Sequence, residues 1–131
     1  MEDVVIKTVL ITGGLGCLGS GLSKYLMNTG YQVIIGSSRQ DAELPNELKN
    51  CSLVYTDFDN VNTLSNACRE VDCVIHLATI NAQQSQNDPK LAINVNGTGS
   101  YNLIQSSVKS KVKYFLYFST AHVYGLPLTG S

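Results

Sequence analysis

Three glycines spaced three residues apart mark the first segment of the chain that could do chemistry. They follow an apolar, β-rich run and precede leucines at helical spacing, and they are Gly13, Gly16 and Gly19. Glycine costs about 1 kcal/mol relative to alanine inside a helix, so this concentration needs a reason. Bare amides at the start of a helix bind anions, because the N–H donors and the helix dipole both point outward there. The spacing predicts a diphosphate site that also includes Cys17 and Leu18.

The residues after the second apolar run, QVIIG at 32–36, indicate which dinucleotide would bind. An Asp or Glu at this place hydrogen-bonds the ribose hydroxyls of NAD. The chain has Ser37, Ser38 and Arg39 instead, and a guanidinium can fork onto a 2′-phosphate to which the serines donate further hydrogen bonds. We therefore favour NADP over NAD. The alternatives are that Arg39 is a solvated loop residue or stacks on adenine, and the nearby Asp41 weakens the case slightly.

The elements that must position these residues alternate along the chain. Apolar runs predict strands at 7–12, 32–36, 52–56, 73–78 and 114–119. Helical spacing predicts a first helix ending at Gly30, a second capped by Asn60, and a long third one over 90–108. The segments 37–50 and 79–89 are polar and are predicted to be loops. Alternating strands and helices indicate an α/β fold, a Rossmann-type doubly wound parallel sheet of order 3-2-1-4-5 with helices on both faces.

Composition narrows the classes of partner. The 131 residues suit one domain, and a net charge of −1 argues against non-specific nucleic-acid or anionic-membrane binding. No segment approaches the length of a membrane span, and the N-terminus has no basic start of a signal peptide. The four cysteines show no C-x-x-C spacing, so no metal site is expected and reduced thiols in the cytoplasm are the preferred interpretation.

Five motifs in order extend this interpretation to a family. They are TGGLGCLG (12–19), YTDFD (55–59), VIHLAT (74–79), NVNGTGSYNLI (94–104) and YFSTAHVYG (117–125). Together they resemble the extended short-chain dehydrogenase/reductases, in particular the NAD-dependent epimerase/dehydratase family of nucleotide-sugar enzymes. The resemblance covers nearly the whole chain.

The resemblance implies roles for residues in the middle motifs. Asp57 matches the aspartate that meets the adenine amino group, with the Phe58 backbone beside it, although an aspartate that caps the next turn is equally compatible with the sequence. Asn94 resembles the asparagine near the nicotinamide end, its alternative being a helical polar residue that faces water. His76, inside an apolar strand, is interpreted as a buried histidine with its hydrogen bonds satisfied.

The same resemblance assigns the ends of the fourth and fifth strands. Leu77, Ala78 and Thr79 match the segment that passes the ribose and diphosphate of the cofactor. Thr120 matches the catalytic Ser/Thr, whose hydroxyl hydrogen-bonds the substrate oxygen that is oxidised or reduced, and Ser119 is the neighbouring alternative. Ligands bind beyond the carboxyl ends of the strands in open α/β sheets, which agrees with these positions.

One part of the family pattern is missing. The reaction needs a Tyr-x-x-x-Lys, in which the tyrosine exchanges a proton with the substrate and the lysine lowers its pKa. None of the seven tyrosines has a lysine four positions later. We therefore expect the chain to be a dinucleotide-binding domain over 1–131, cut off before that pair and the substrate-binding region. Ala121 and His122 replace the Asp-Glu of sugar dehydratases, which disfavours a dehydratase.

The sequence thus predicts the cofactor half of an NAD(P)-dependent epimerase or oxidoreductase. Its substrate would be a small molecule, a nucleotide sugar or a related alcohol or carbonyl compound. The alternative is a sensor or scaffold that binds the dinucleotide without turnover. The family often dimerises through helices of this region, which leaves a homodimer open.

Overall fold

Five parallel strands form one sheet in the computed structural model, which describes residues 3–120. In chain order they are β1 (Thr8–Thr12), β2 (Gln32–Ser37), β3 (Ser52–Tyr55), β4 (Cys73–His76) and β5 (Tyr114–Tyr117). Their spatial order is β3-β2-β1-β4-β5, and every neighbouring pair is parallel. The predicted fold class and strand order are confirmed.

Helices connect the strands. They are α1 (Cys17–Asn28), α2 (Val61–Ala67), α3 (Ala82–Asn87), α4 (Pro89–Ala92) and α5 (Ser100–Lys109), with a short 3₁₀ turn at Asn46–Leu48. A π-helical segment, Ile93–Gly99, joins α4 to α5. The long helix predicted for 90–108 is therefore present, but its central turns are wider than those of an α-helix.

Two apolar layers cover the two faces of the sheet. Val9 and Ile11 of β1 point to one face, where partly buried leucines of the first crossover and α1 pack against them. Leu10 points to the other face and packs with Leu64 of α2 and Leu103 of α5. Successive residues of a strand alternate between faces, so an all-apolar strand such as β1 requires a helix on each side.

The predicted loop 79–89 is wrong in its centre, where α3 lies. The Asn81 side chain caps this helix by accepting a hydrogen bond from the Gln84 amide at 2.8 Å. Asp88 then caps α4 in the same way, accepting from the Leu91 amide at 3.0 Å, with Pro89 at the first helical position. The polar composition of 79–89 suggested a loop, although Asn81 and Asp88 in it are helix caps.

Strand β4 ends at His76, two residues earlier than predicted. The amides of Leu77 and Ala78 turn toward the Thr12 hydroxyl, with N···Oγ1 distances of 3.2 and 3.3 Å. The predicted cap at Asn60 is confirmed, because its side chain accepts from the Asn62 amide at 3.1 Å.

Asp72 joins two segments at the amino-terminal edge of the sheet. Its Oδ2 accepts hydrogen bonds from the amides of Lys7 at 2.8 Å and Thr8 at 3.0 Å. Its Oδ1 lies 3.6 Å from the Lys113 ammonium, just before β5. The two backbone amides hold the pKa of the carboxyl below its usual value. None of the helices within residues 3–120 has both the length and the apolar content needed to cross a bilayer.

Candidate functional site

The turn between β1 and α1 requires glycine at two of its three predicted positions. Gly13 has φ +69°, and a Cβ there would lie 2.9 Å from the Ala78 nitrogen. A Cβ on Gly19 would lie 2.7 Å from the Gly14 Cα and closer still to the Gly13 carbonyl oxygen. A left-handed backbone and these short approaches exclude side chains, which brings the turn, α1 and β4 close together.

The N-terminus of α1 opens into a cleft without a side-chain cap. Gly16 is the N-cap residue, no side chain within residues 3–120 caps the first turn, and that turn contains no acidic residue. Gly16, Cys17, Leu18 and Gly19 line the cleft. The first amides of a helix lack intrahelical partners, so this end of α1 offers donors and a positive dipole end to an anion.

The cleft runs across the carboxyl ends of the strands. One part has a volume of about 500 Å³ and reaches from the α1 N-terminus to Ser119 and Thr120, beyond β5. A second part of about 430 Å³ reaches from Gly13 to Ser38 and Asp57, beyond β2 and β3. Gly13 lines both parts, so the glycine turn lies at the centre of one continuous groove.

Most of the predicted site residues meet in this groove. Those that line it, besides the residues of the glycine turn, are Ser37, Ser38, Asp57, Phe58, Leu77, Ala78, Thr79 and Thr120. Arg39 does not line it. Its side chain is exposed, and its amide donates to the Ser37 hydroxyl at 3.2 Å. The positions Ala121 and His122 lie outside the described residues.

Asp57 is both a turn residue and a groove residue. Its Oδ1 accepts a hydrogen bond from the Asp59 amide at 3.0 Å, which is the turn-capping role that the sequence left open. The half-buried carboxylate also lines the part of the groove beyond β3. The two interpretations are therefore compatible, because the carboxylate still has lone pairs to offer a ligand.

Asn94 and Asn96 of the π-helical segment lie at different ends of the groove. The Asn94 Nδ2 donates to Asp59 Oδ1 at 3.2 Å, so this exposed side chain lies at the Asp57 end of the groove. Asn96, which the sequence did not single out, lines the other end together with Thr120, and its Oδ1 accepts from the Ile80 amide at 3.0 Å. The asparagines lie in the π-helical segment, whose period a search for 3.6-residue spacing does not detect.

His76 is fully buried between the two ends of the groove. Its Nδ1 lies 2.6 Å from Thr12 Oγ1, and its Nε2 lies 2.8 Å from Ser100 Oγ. The rings of Phe58 and Tyr117 pack at centroid distances of 5.5 and 5.7 Å. Burial lowers the pKa of the imidazole from 6.5 to about 4, so the ring is neutral at physiological pH. The interpretation of His76 as a buried, satisfied histidine is confirmed.

This sheet order, a glycine turn that leads into the first helix and a groove at the carboxyl ends of the strands define a nucleotide-binding α/β fold of the Rossmann type. The family model described as the NAD dependent epimerase/dehydratase family matches residues 9–130. The chain belongs to that family.

Individual relatives agree with this assignment. A UDP-glucose 4-epimerase of Bacillus subtilis is 31% identical over 131 residues, which cover 92% of this chain and 39% of that protein. The solved structure of an epimerase from Methanothermobacter thermautotrophicus is 32% identical with a TM-score of 0.78, covering 88% of this chain and 35% of the other. The structure of MoeE5 in complex with UDP-glucuronic acid and NAD is 26% identical with a TM-score of 0.79, covering 90% and 38%. The chain thus spans about two fifths of the length of the curated relatives that it matches.

Proposed function

We propose that this chain is the dinucleotide-binding part of an NAD(P)-dependent epimerase or oxidoreductase that acts on a nucleotide sugar or a related alcohol or carbonyl compound. The observation that carries the proposal is the continuous groove centred on Gly13, with an uncapped helix N-terminus at its middle. The nicotinamide would accept and return hydride when bound, while the chain supplies position and electrostatics.

The residues present fit such a cofactor. The amides of the α1 N-terminus would hold the diphosphate, because none of the side chains that the structure describes caps them. Ser38 and Asp57 would hold the adenosine half, and Thr79 with Asn96 would flank the nicotinamide half. A dinucleotide bound in this way would have its diphosphate over the glycine turn and one nucleoside on each side of β1.

Thr120 is the residue that we propose to touch substrate. It lines the same part of the groove as Asn96, beyond the carboxyl end of β5, and its hydroxyl would hydrogen-bond the oxygen that gains or loses a proton. The proton itself needs the tyrosine of a Tyr-x-x-x-Lys, which the 131 residues do not contain. We therefore expect these residues by themselves to bind cofactor without turnover.

For the form of the cofactor we favour NADP, with NAD as the alternative. The two residues directly after β2, Ser38 and Arg39, include no carboxylate to repel a 2′-phosphate, and Arg39 is exposed. The NAD bound in the MoeE5 structure supports the alternative. For the substrate, the UDP-sugar named for that structure and for the Bacillus subtilis relative supports a nucleotide sugar.

Isothermal titration of the 131-residue chain with NADP⁺ and with NAD⁺ tests the proposal. Gly16→Glu would place a carboxylate at the diphosphate position, and we expect it to weaken binding at least about 100-fold. A Cβ at Gly16 would lie 3.3 Å from the Gly13 carbonyl oxygen, which must shift by a few tenths of an ångström, so a thermal melt first establishes that the variant is folded. Gly21→Glu in the same helix is the matched control, since a Cβ there meets nothing within 4 Å. Equal affinities of both variants and the unchanged protein would overturn the proposal.

A second candidate is a dinucleotide sensor that performs no turnover, since one fold is often reused for different functions. The two candidates differ in redox chemistry. Incubation of the natural protein with NADP⁺ or NAD⁺ and a UDP-sugar, followed by nicotinamide absorbance and product analysis, distinguishes them. Product formation would exclude the sensor, and tight cofactor binding without product would support it.

A further inference from the structure

Three buried polar side chains connect the glycine turn to the π-helical segment. Thr12 and His76 are fully buried, and Ser100 is 8% exposed. The His76 ring lies between the other two, with Nδ1 2.6 Å from Thr12 Oγ1 and Nε2 2.8 Å from Ser100 Oγ. The Ser100 hydroxyl in turn lies 2.8 Å from the Asn96 carbonyl oxygen.

The partners at the two ends fix the position of every proton. Thr12 Oγ1 accepts hydrogen bonds from the Ala78 amide at 3.3 Å and from the Leu77 amide at 3.2 Å, an amide that it shares with the Thr12 carbonyl oxygen, so its own proton is left for His76 Nδ1. At the other end a carbonyl oxygen can only accept, so the Ser100 proton goes to Asn96. Ser100 Oγ must then accept from His76 Nε2–H. In this order the two hydroxyls and the ring N–H each donate to one acceptor, which requires the neutral imidazole with its proton on Nε2.

The chain of hydrogen bonds ends on backbone that forms the groove. Leu77 and Ala78 line the groove, and the Ala78 nitrogen lies 2.9 Å from the position that a Cβ on Gly13 would take. Asn96 lines the opposite end and accepts from the Ile80 amide. A displacement of the His76 ring would therefore move the wall beside the glycine turn and the π-helical segment together.

We propose that His76 is a positioning residue for the groove wall formed by Leu77 and Ala78. As the neutral Nε2–H tautomer it hydrogen-bonds Thr12 and Ser100, and these contacts keep the wall in the shape that a bound dinucleotide requires. The inference rests on the proposed function, since it concerns the affinity of the same groove. A ring that only filled space among Phe58 and Tyr117 would not depend on the two hydroxyls.

Two substitutions, each of which removes one hydroxyl, test the two partners of the ring separately. Thr12→Val and Ser100→Ala remove one partner of each ring nitrogen while keeping most of the packing. We expect each to raise the Kd of the preferred dinucleotide about tenfold, the order expected for one buried hydrogen bond. Thr12→Ser keeps the hydroxyl, so its Kd should lie within about threefold of that of the unchanged chain. Thermal melts confirm that each variant is folded at the temperature of the titration.

Ser106→Ala is the matched control for Ser100→Ala. Ser106 lies in α5 as Ser100 does and is fully buried, but its hydroxyl has no hydrogen-bond partner among the described residues. Its removal should leave the Kd unchanged. Long-range ¹H–¹⁵N NMR of the imidazole supplies a readout that packing does not determine, and it should show the proton on Nε2.

The outcomes separate this inference from the proposed function. Unchanged Kd values in both Thr12→Val and Ser100→Ala, or an Nδ1–H tautomer, would overturn the inference and leave dinucleotide binding intact. A failure of Thr12→Ser to restore binding would also overturn it. Absence of dinucleotide binding in the unchanged chain would overturn the proposed function and this inference with it.

Discussion

Single side chains at the carboxyl ends of the strands differ in how many of their hydrogen-bonding groups the protein itself uses. Asp57 gives one oxygen to the Asp59 amide, and His76 uses both ring nitrogens. The Arg39 guanidinium forms no hydrogen bond or ion pair with any residue in the described range 3–120. A group of this kind can bind a ligand phosphate without first breaking a native contact.

Replacing Arg39 tests the preference for NADP. We expect Arg39→Ala to weaken NADP⁺ binding about ten- to a hundredfold, which is about 1.4–2.8 kcal/mol, and to leave NAD⁺ binding unchanged. The reason is that only NADP carries the 2′-phosphate on which a guanidinium would form charge-assisted hydrogen bonds. Isothermal titration with both nucleotides measures the two effects. Arg69→Ala, which replaces another exposed arginine that does not line the groove, is the control. Equal losses for both nucleotides would contradict the assignment.

Sequence reasoning located residues well where the backbone direction determines their position. Gly13, Ser38 and Asp57 meet in the groove because parallel strands all end at one edge of the sheet, a consequence of the strand pattern alone. Asn96 was missed, because which asparagine faces the groove depends on the π-helical turns. The exposure of Arg39 agrees with the solvated loop residue that the sequence left open, and a loop side chain follows no periodicity that could have decided between the alternatives.

Helix α1 contains two glycines that differ in the space available to a side chain. Gly19 packs against the glycine turn, where a Cβ would lie 2.7 Å from the Gly14 Cα, whereas a Cβ on Gly21 would meet nothing within 4 Å. The first glycine is therefore required by packing, and the second only costs helix propensity.

Alanine substitutions should separate these two cases. Gly19→Ala must push α1 away from backbone atoms, and we expect it to lower the free energy of unfolding by about 1–3 kcal/mol, as overpacking does. Gly21→Ala should raise it by up to about 1 kcal/mol, because alanine is the better helix former and restricts the unfolded chain. Urea denaturation followed by circular dichroism measures both. A stabilising Gly19→Ala would show that the close contact between α1 and the turn is absent.

The helices after β4 show why element boundaries were harder to predict than strands. Strands are recognised by apolar runs, because helices cover both faces of the sheet, and all five strands were predicted. Helix α3 has no buried residue, so no apolar stripe marks it and only the caps Asn81 and Asp88 indicate where it begins and ends. Short exposed helices depend on such local hydrogen bonds rather than on core packing.

For the molecule as a whole, the buried His76 couples folding to pH. Its pKa is lowered from 6.5 to about 4, so between these values the unfolded chain binds a proton that the folded chain does not. The contribution of His76 to the free energy of unfolding is therefore fully present above about pH 6.5. It decreases as the pH drops toward 4, by about 3 kcal/mol in total. Urea unfolding at a series of pH values measures this slope.

A histidine substitution identifies the group responsible. His76→Gln should abolish the slope between pH 6.5 and 4, although it lowers stability at neutral pH. His122→Gln replaces the second histidine of the chain and should keep the slope. An unchanged slope in His76→Gln would assign the effect to another group.

Asp72 contributes in a different pH range. Its carboxyl pKa is lowered, so its stabilisation is present above the ordinary value of 3.8 and is lost as the pH falls through the lower folded value. Asp72→Ala leaves the Lys7 and Thr8 amides without their acceptor, and we expect a loss of about 1–3 kcal/mol at pH 7. Unfolding curves at pH 7 and pH 3 check this, and an equal loss at both would contradict it. Nucleotide affinity of the folded variant should not change.

The position of Asp72 has a consequence for how the protein can vary. Every groove residue lies at one rim of the sheet, and this carboxylate fastens the opposite rim, one strand length away. The stabilisation that Asp72 provides is therefore separate from the positions that contact the ligand. Homologues adapted to heat can strengthen the contacts around Asp72 and keep the same nucleotide preference. Conversely, a change of nucleotide preference leaves those contacts unchanged.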